Sequence, residues 1–167
     1  MSANYYDQKS YFGTTTYDAL QLNYYGNLIH QRELINTKHI IKYGVSFLYD
    51  NYAETFDSVQ FNRSEVVPGA FAEYTFDPIK KFTAVIGLRA DYHTVFGEFF
   101  TPRLHWRYEL KEGTVLRGTT GRGQRTANVF SENIGLLATS RNIRFKTDSS
   151  TYAFGLSPEV AWNYGLS

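Results

Sequence analysis

Apolar and polar residues alternate with a period of two along most of the chain, the pattern of β-strands with two unlike faces. The clearest run is Phe82 to His93. Phe82, Ala84, Ile86, Leu88, Ala90 and Tyr92 fall on one face, and Thr83, Val85, Gly87, Arg89, Asp91 and His93 on the other. Pro102 to Leu110 repeats it, with Leu104, Trp106, Tyr108 and Leu110 opposed to Arg103, His105, Arg107 and Glu109. Thr37–Asp50, Leu20–Gln31, Val66–Phe76 and Thr114–Gly121 read the same way, and partial strands fall at Ala3–Lys9 and Glu159–Ser167. The expectation is an all-β, antiparallel up-and-down meander of about eight strands.

Turns punctuate this pattern unevenly. Asp77–Lys81, Lys111–Gly113 and Arg32–Asn36 are short, whereas Ser10–Ala19, Asn51–Glu65, Thr94–Phe100 and Arg122–Pro158 are expected as longer loops. Short turns at one end and long loops at the other characterise outer-membrane barrels. A three-residue loop at Lys111–Gly113, closing a bulge on Gly113, pairs Leu110 with Thr114, Tyr108 with Leu116, Trp106 with Gly118 and Arg107 with Arg117. A five-residue turn at Asp77–Lys81 pairs Phe76 with Phe82 and Tyr74 with Ala84, and sets Phe71 over Gly87. Symmetry of the next hairpin about Gly97 sets Asp91 against Arg103 and Arg89 against His105. Within Arg122–Pro158, Val129, Phe130, Ile134, Leu137 and Ala138 have a loose helical spacing, and a short helix is expected there.

Composition narrows the class. The 167 residues suffice for one domain. With 14 Tyr and 13 Phe the chain is too aromatic to be disordered. A net charge of +1 gives no field directed at nucleic acid. There is no Cys, hence no disulfide, thiolate metal site or cysteine nucleophile. No apolar stretch near Met1 has the length of a secretory signal, and none elsewhere has that of a membrane helix.

The polar face is rich in ionisable groups. Arg89, Asp91, His93, Arg103, His105, Arg107 and Arg117 are the candidate solute contacts, with Glu73 and Glu109 beside them. Such a set suits a wet lumen, since buried charges cost several kcal/mol each unless paired. His93 and His105 do not pair, so no metal site is expected. Gly121–Arg125 lacks the rest of a phosphate loop and reads as a strand-end turn. No nucleophile–base–orienter set stands out, and neither an enzyme nor a cofactor is expected.

Several stretches in order carry a family resemblance: Tyr5 to Thr15, Pro68 to Tyr74, Gly87 to His93, Phe99 to Leu104, Leu116 to Gly123, Arg125 to Asn128, Ser157 to Glu159 and Trp162 to Gly165. Together they resemble the barrel of TonB-dependent outer-membrane receptors, of the kind common in Bacteroidetes. The resemblance implies about twenty-two strands around an N-terminal plug. It also implies energy-coupled uptake of a ferric siderophore, cobalamin or a glycan, with TonB acting through the plug. Outer-membrane lipid and the remainder of the receptor are the implied partners. Residues 1–167 are then expected to be an internal part of that barrel domain, without plug or signal peptide and not transport-competent alone. Two other readings stand beside it: a self-contained eight-stranded membrane barrel serving as anchor or adhesin, and a soluble β-sandwich or lipocalin-like binder. The last requires the aromatic face to be packed inside.

Overall fold

The computed structural model describes residues 1–35, 38–126, 128–133, 135 and 155–167. Nine strands follow the alternating pattern: β1 (Ser2–Phe12), β2 (Thr15–Ile35), β3 (His39–Phe56), β4 (Val59–Ile79), β5 (Phe82–His93), β6 (Gly97–Phe100), β7 (Arg103–Lys111), β8 (Thr114–Arg125) and β9 (Glu159–Leu166). One helical turn, α1 (Val129–Glu132), precedes β9, within the segment expected to hold a helix. The other apolar positions of that expected helix, Ile134, Leu137 and Ala138, lie outside the described residues.

All nine strands form one antiparallel sheet in chain order, with β6 beside β5 only. β1 and β9 are its two ends and do not pair with each other. The sheet is therefore open. It is neither a closed eight-stranded barrel nor a two-layer sandwich, and its apolar face is not packed inside: Leu28, Val45 and Leu88 are 73%, 54% and 48% exposed.

The ninth strand arises at Pro102. β6 and β7 lie along β5 in one continuous register, His93 opposite Gly97 and Phe82 opposite Tyr108. Proline cannot donate to a ladder, so the strand breaks at Thr101–Pro102, although the Thr101 N–H still donates to Arg89 O at 2.9 Å. The hairpin turns about Val95 rather than Gly97. Asp91 consequently faces Phe99, Arg103 faces Gly87 and His105 faces Val85, which replaces the expected Asp91–Arg103 and Arg89–His105 pairs.

At the β7–β8 turn the expected pairs Tyr108–Leu116, Trp106–Gly118 and Arg107–Arg117 are present. The closing pair is Lys111–Thr114, not Leu110–Thr114, because a bulge falls between Glu109 and Lys111. Gly113 takes φ +77°, where a side chain would be strained. The β4–β5 turn is tighter than expected. β4 continues to Ile79, which faces Phe82, so Phe76 meets Ala84 and Tyr74 meets Ile86. The shift is by an even number of residues, so every side chain keeps its expected face. Phe71 lies opposite Arg89 and covers Gly44 instead of Gly87; a Cβ on Gly44 would meet its ring at 2.8 Å.

Two of the expected long loops are hairpin tops. Ser10–Ala19 is paired strand except at Gly13–Thr14, and Asn51–Glu65 is paired except at Asp57–Ser58. Asp57 adopts φ +53° and accepts the Thr16 N–H at 2.9 Å, tying the two tips together. Gly121–Arg125 is also strand, paired to Asn163–Glu159, and not a turn.

Candidate functional site

The register assigns each side chain to one of two continuous faces. On the first, Leu28, Val45, Ala70 and Ala90 line up across β2 to β5, and Ile86 meets Leu104 on β7. Aromatic rings border this face at two levels. His39, Tyr74, Phe76, Phe82 and Tyr108 mark one level, with His39–Phe76 centroids at 5.2 Å and Phe82–Tyr108 at 6.5 Å. Tyr24 and Tyr49 mark the other, 6.2 Å apart. Tyr49 stands ten positions after His39, and Tyr92 ten after Phe82. A tilted strand of that length crosses the ~25 Å apolar band of an outer-membrane barrel.

The second face carries all seven candidate residues, strung along β5, β7 and β8 rather than gathered at one point. Arg89 chelates Asp91 on its own strand at 2.7 Å and donates to Ser46 Oγ at 2.9 Å. Arg103 reaches Glu73 at 2.6 Å, and Lys42 approaches the same carboxylate at 3.6 Å. Arg107 pairs with Glu109 at 3.2 Å, and His105 Nδ1 lies 2.8 Å from Thr119 Oγ1. Arg117 stands across from Arg107 with no ion pair among the described residues. Tyr25, Asn27, Phe71, Arg89 and Arg103 border a cleft of about 320 Å³ on this face.

His93 belongs to a denser group that sequence reading missed. Above the upper aromatic level, the top of the β2–β3–β4 hairpins buries Glu54, Glu65 and Asp50 beside Arg63. The Arg63 guanidinium bonds Glu54 and, at 2.9 Å, Glu65, and it stacks 3.8 Å over the Tyr52 ring. Tyr17 Oη donates to Glu54 at 2.8 Å. Gln21 and Asn23 both donate to Asp50, at 3.0 and 2.8 Å. His93 Nδ1 accepts the Val95 and Phe96 N–H groups, which leaves the ring proton on Nε2, 3.3 Å from Glu65. One imidazole thus joins the β5–β6 turn to the β4 wall.

Burial alone would raise the Glu65 pKa. The hydrogen bonds from His93 and Arg63 outweigh it and hold the carboxyl below its ordinary range. Burial, reinforced by the Asp50 and Glu65 carboxylates, pushes the Tyr52 phenol up to about 12. The Tyr17 phenol is raised for the same first reason and by its bond to Glu54.

An apolar cap sits on this group. Phe130 of α1 is fully buried, with its ring 5.5 Å from Tyr17, 6.1 Å from Phe56 and 4.8 Å from Phe61. The signal for this region was present as period-two order in Tyr52, Glu54, Phe56 and again in Phe61, Arg63, Glu65. Polar residues on the other face obscured it.

Comparison with known proteins agrees with this geometry. Residues 2–167 match the family model "TonB dependent receptor-like, beta-barrel". No functionally curated protein matches. Among solved structures, the copper transporter OprC is 15% identical over 91% of this chain and 28% of its own, with a TM-score of 0.62. A G324V variant of the ferric enterobactin receptor of Pseudomonas aeruginosa is 17% identical over 71% and 19%, with a TM-score of 0.57. The siderophore receptor PirA of Acinetobacter baumannii is 16% identical over 68% and 18%, with a TM-score of 0.51. The chain thus spans less than a third of the length of each of these solved chains, and the likeness is one of fold. A two-faced meander with aromatic borders, matched along its whole length, places this chain in the family of TonB-dependent receptor β-barrels.

Proposed function

We propose that the chain supplies barrel wall and extracellular hairpins to a TonB-dependent outer-membrane receptor for active uptake of a scarce solute. A ferric siderophore, cobalamin or a glycan would suit that role. The wall would be completed by further strands to about twenty-two and filled by a plug through which TonB acts. The observation that carries the reading is the single sheet whose two faces have opposite chemistry in continuous register. One face is apolar between two aromatic levels, and the other is laced with ion pairs. Lipid fits the first and a water-filled lumen the second. The solute would travel along the second face, past the cleft between Arg89 and Arg103.

Both tryptophans, Trp106 and Trp162, lie on the apolar face. Their fluorescence in the receptor reconstituted with brominated phospholipid tests the reading. Trp106 stands two positions inside the Tyr108 level, so strong quenching by bromines on the upper part of the acyl chains is expected. An unquenched Trp106 in a folded, β-rich sample would overturn it.

A further inference from the structure

We propose that the short-turn rim of the sheet is a seat for anionic phospholipid headgroups of the inner leaflet. This rests on the membrane reading above. The strands overrun the apolar band at the end of the Gly13–Thr14 and Asp57–Ser58 tips, where the long 126–158 connection also leaves the sheet. The opposite end has only short connections and therefore faces the periplasm.

That end gathers five cations without ion-pair partners among the described residues, whereas Lys9, Arg117 and Arg122, also without one, are scattered elsewhere on the sheet. Lys38 precedes β3, Lys80–Lys81 forms the β4–β5 turn and Lys111 closes the β7–β8 turn; Arg32 approaches the same rim on the apolar face, opposite Ile41. All five are exposed, and none makes an ion pair among the described residues. By contrast, Arg63, Arg89, Arg103, Arg107 and Arg125 all pair with carboxylates. Backbone bonds join the turns into one ledge: the Asp77 N–H donates to Lys38 O and the Glu109 N–H to Lys81 O, both at 2.8 Å. The carboxylates nearby are Glu33, Asp77, Glu112 and Glu109, the last already paired with Arg107, and they are fewer than the cations.

The ledge lies immediately beyond the lower aromatic level. His39 adjoins Lys38, and Phe82 adjoins Lys81. His39 Nδ1 and Tyr74 Oη are 2.5 Å apart, which fixes the polar edges of these rings at the interface. Rings at the boundary with ammonium groups one step outward match an acyl chain joined to a phosphate. A zwitterionic headgroup brings its own cation and gains little from this rim.

The test uses the receptor in neutral detergent, titrated with short-chain phosphatidylglycerol or phosphatidylcholine, with bound lipid counted by native mass spectrometry. Phosphatidylglycerol should bind at least about tenfold more tightly, and the preference should fall with salt as the Debye length shrinks. Lys38→Gln, Lys80→Gln, Lys81→Gln and Lys111→Gln together should abolish the preference, while Lys9→Gln with Arg122→Gln at the other end should leave it intact. Equal binding of the two lipids, a preference unaffected by salt, or a preference retained by the fourfold variant would overturn the proposal. So would competition by inorganic phosphate at concentrations similar to those of the lipid, which would mark a free-phosphate site. Because Trp106 quenching is read separately, failure here with Trp106 still quenched leaves the barrel reading standing.

Discussion

At the residue scale, the most consequential side chain is Arg63. Glu54 is only 2% exposed, and Arg63 is the cation bonded to it. Removing one partner of such a pair leaves a buried charge uncompensated, at a cost of about 3–5 kcal/mol. Arg63→Met is therefore expected to lower the thermal stability of the folded chain sharply, measured by circular dichroism in detergent. Adding Glu54→Gln should recover much of the loss, since the glutamine still accepts from Tyr17 without a charge. Equal stability of Arg63→Met and wild type would show that water reaches this group. Glycine matters at this scale through clearance. The Trp106 ring lies where a Gly118 side chain would stand, and Arg103 lies over Gly87. Long side chains thus lie along the wall instead of projecting from it.

At the element scale, the β3–β4 hairpin extends well past what a bilayer requires, with strands of 18 and 21 residues against the roughly 9–11 that cross. Replacing residues 53–62 with Asn-Gly would close the hairpin on the hydrogen-bonded Tyr52–Arg63 pair with a favoured turn. Trp106 quenching should be unchanged, because no strand within the apolar band is altered. Protease cleavage near α1 should accelerate, because Phe130 loses Phe56 and Phe61. Lost quenching would mean that the hairpin top is needed for insertion. The same hairpin shows what a sequence conceals. On the proposed membrane reading, lipid would enforce alternation within the apolar band, and the facing of Phe82–His93 and Pro102–Leu110 was legible residue by residue. Outside it, water tolerates polar residues on both faces, so Asn51–Glu65 read as loop and its Glu54–Arg63–Glu65 group went unseen. Exact pairings were the other blind spot. Bulges after Phe76 and Glu109 and the pivot at Val95 depend on local backbone geometry that alternation does not encode.

At the scale of the whole molecule, the sheet has two edges unpaired among the described residues, one along β1 and one along β9. Unpaired strand edges recruit other strands. The chain expressed by itself and folded in detergent is therefore expected to associate, with light-scattering masses above the 19.2 kDa of one copy. A monodisperse monomer would show that the edges are protected in some other way. Within a receptor, the same edges are where neighbouring wall strands would join.

The overrunning hairpins have a consequence for recognition itself. Their upper halves are not free loops. They are held by ladder bonds, by Asp57 at the tips and by the Arg63 group below. In the proposed uptake role, a solute arriving there would meet donors and acceptors already set in position. Docking against this wall would then forfeit little conformational entropy, and more of each contact's energy would appear as affinity.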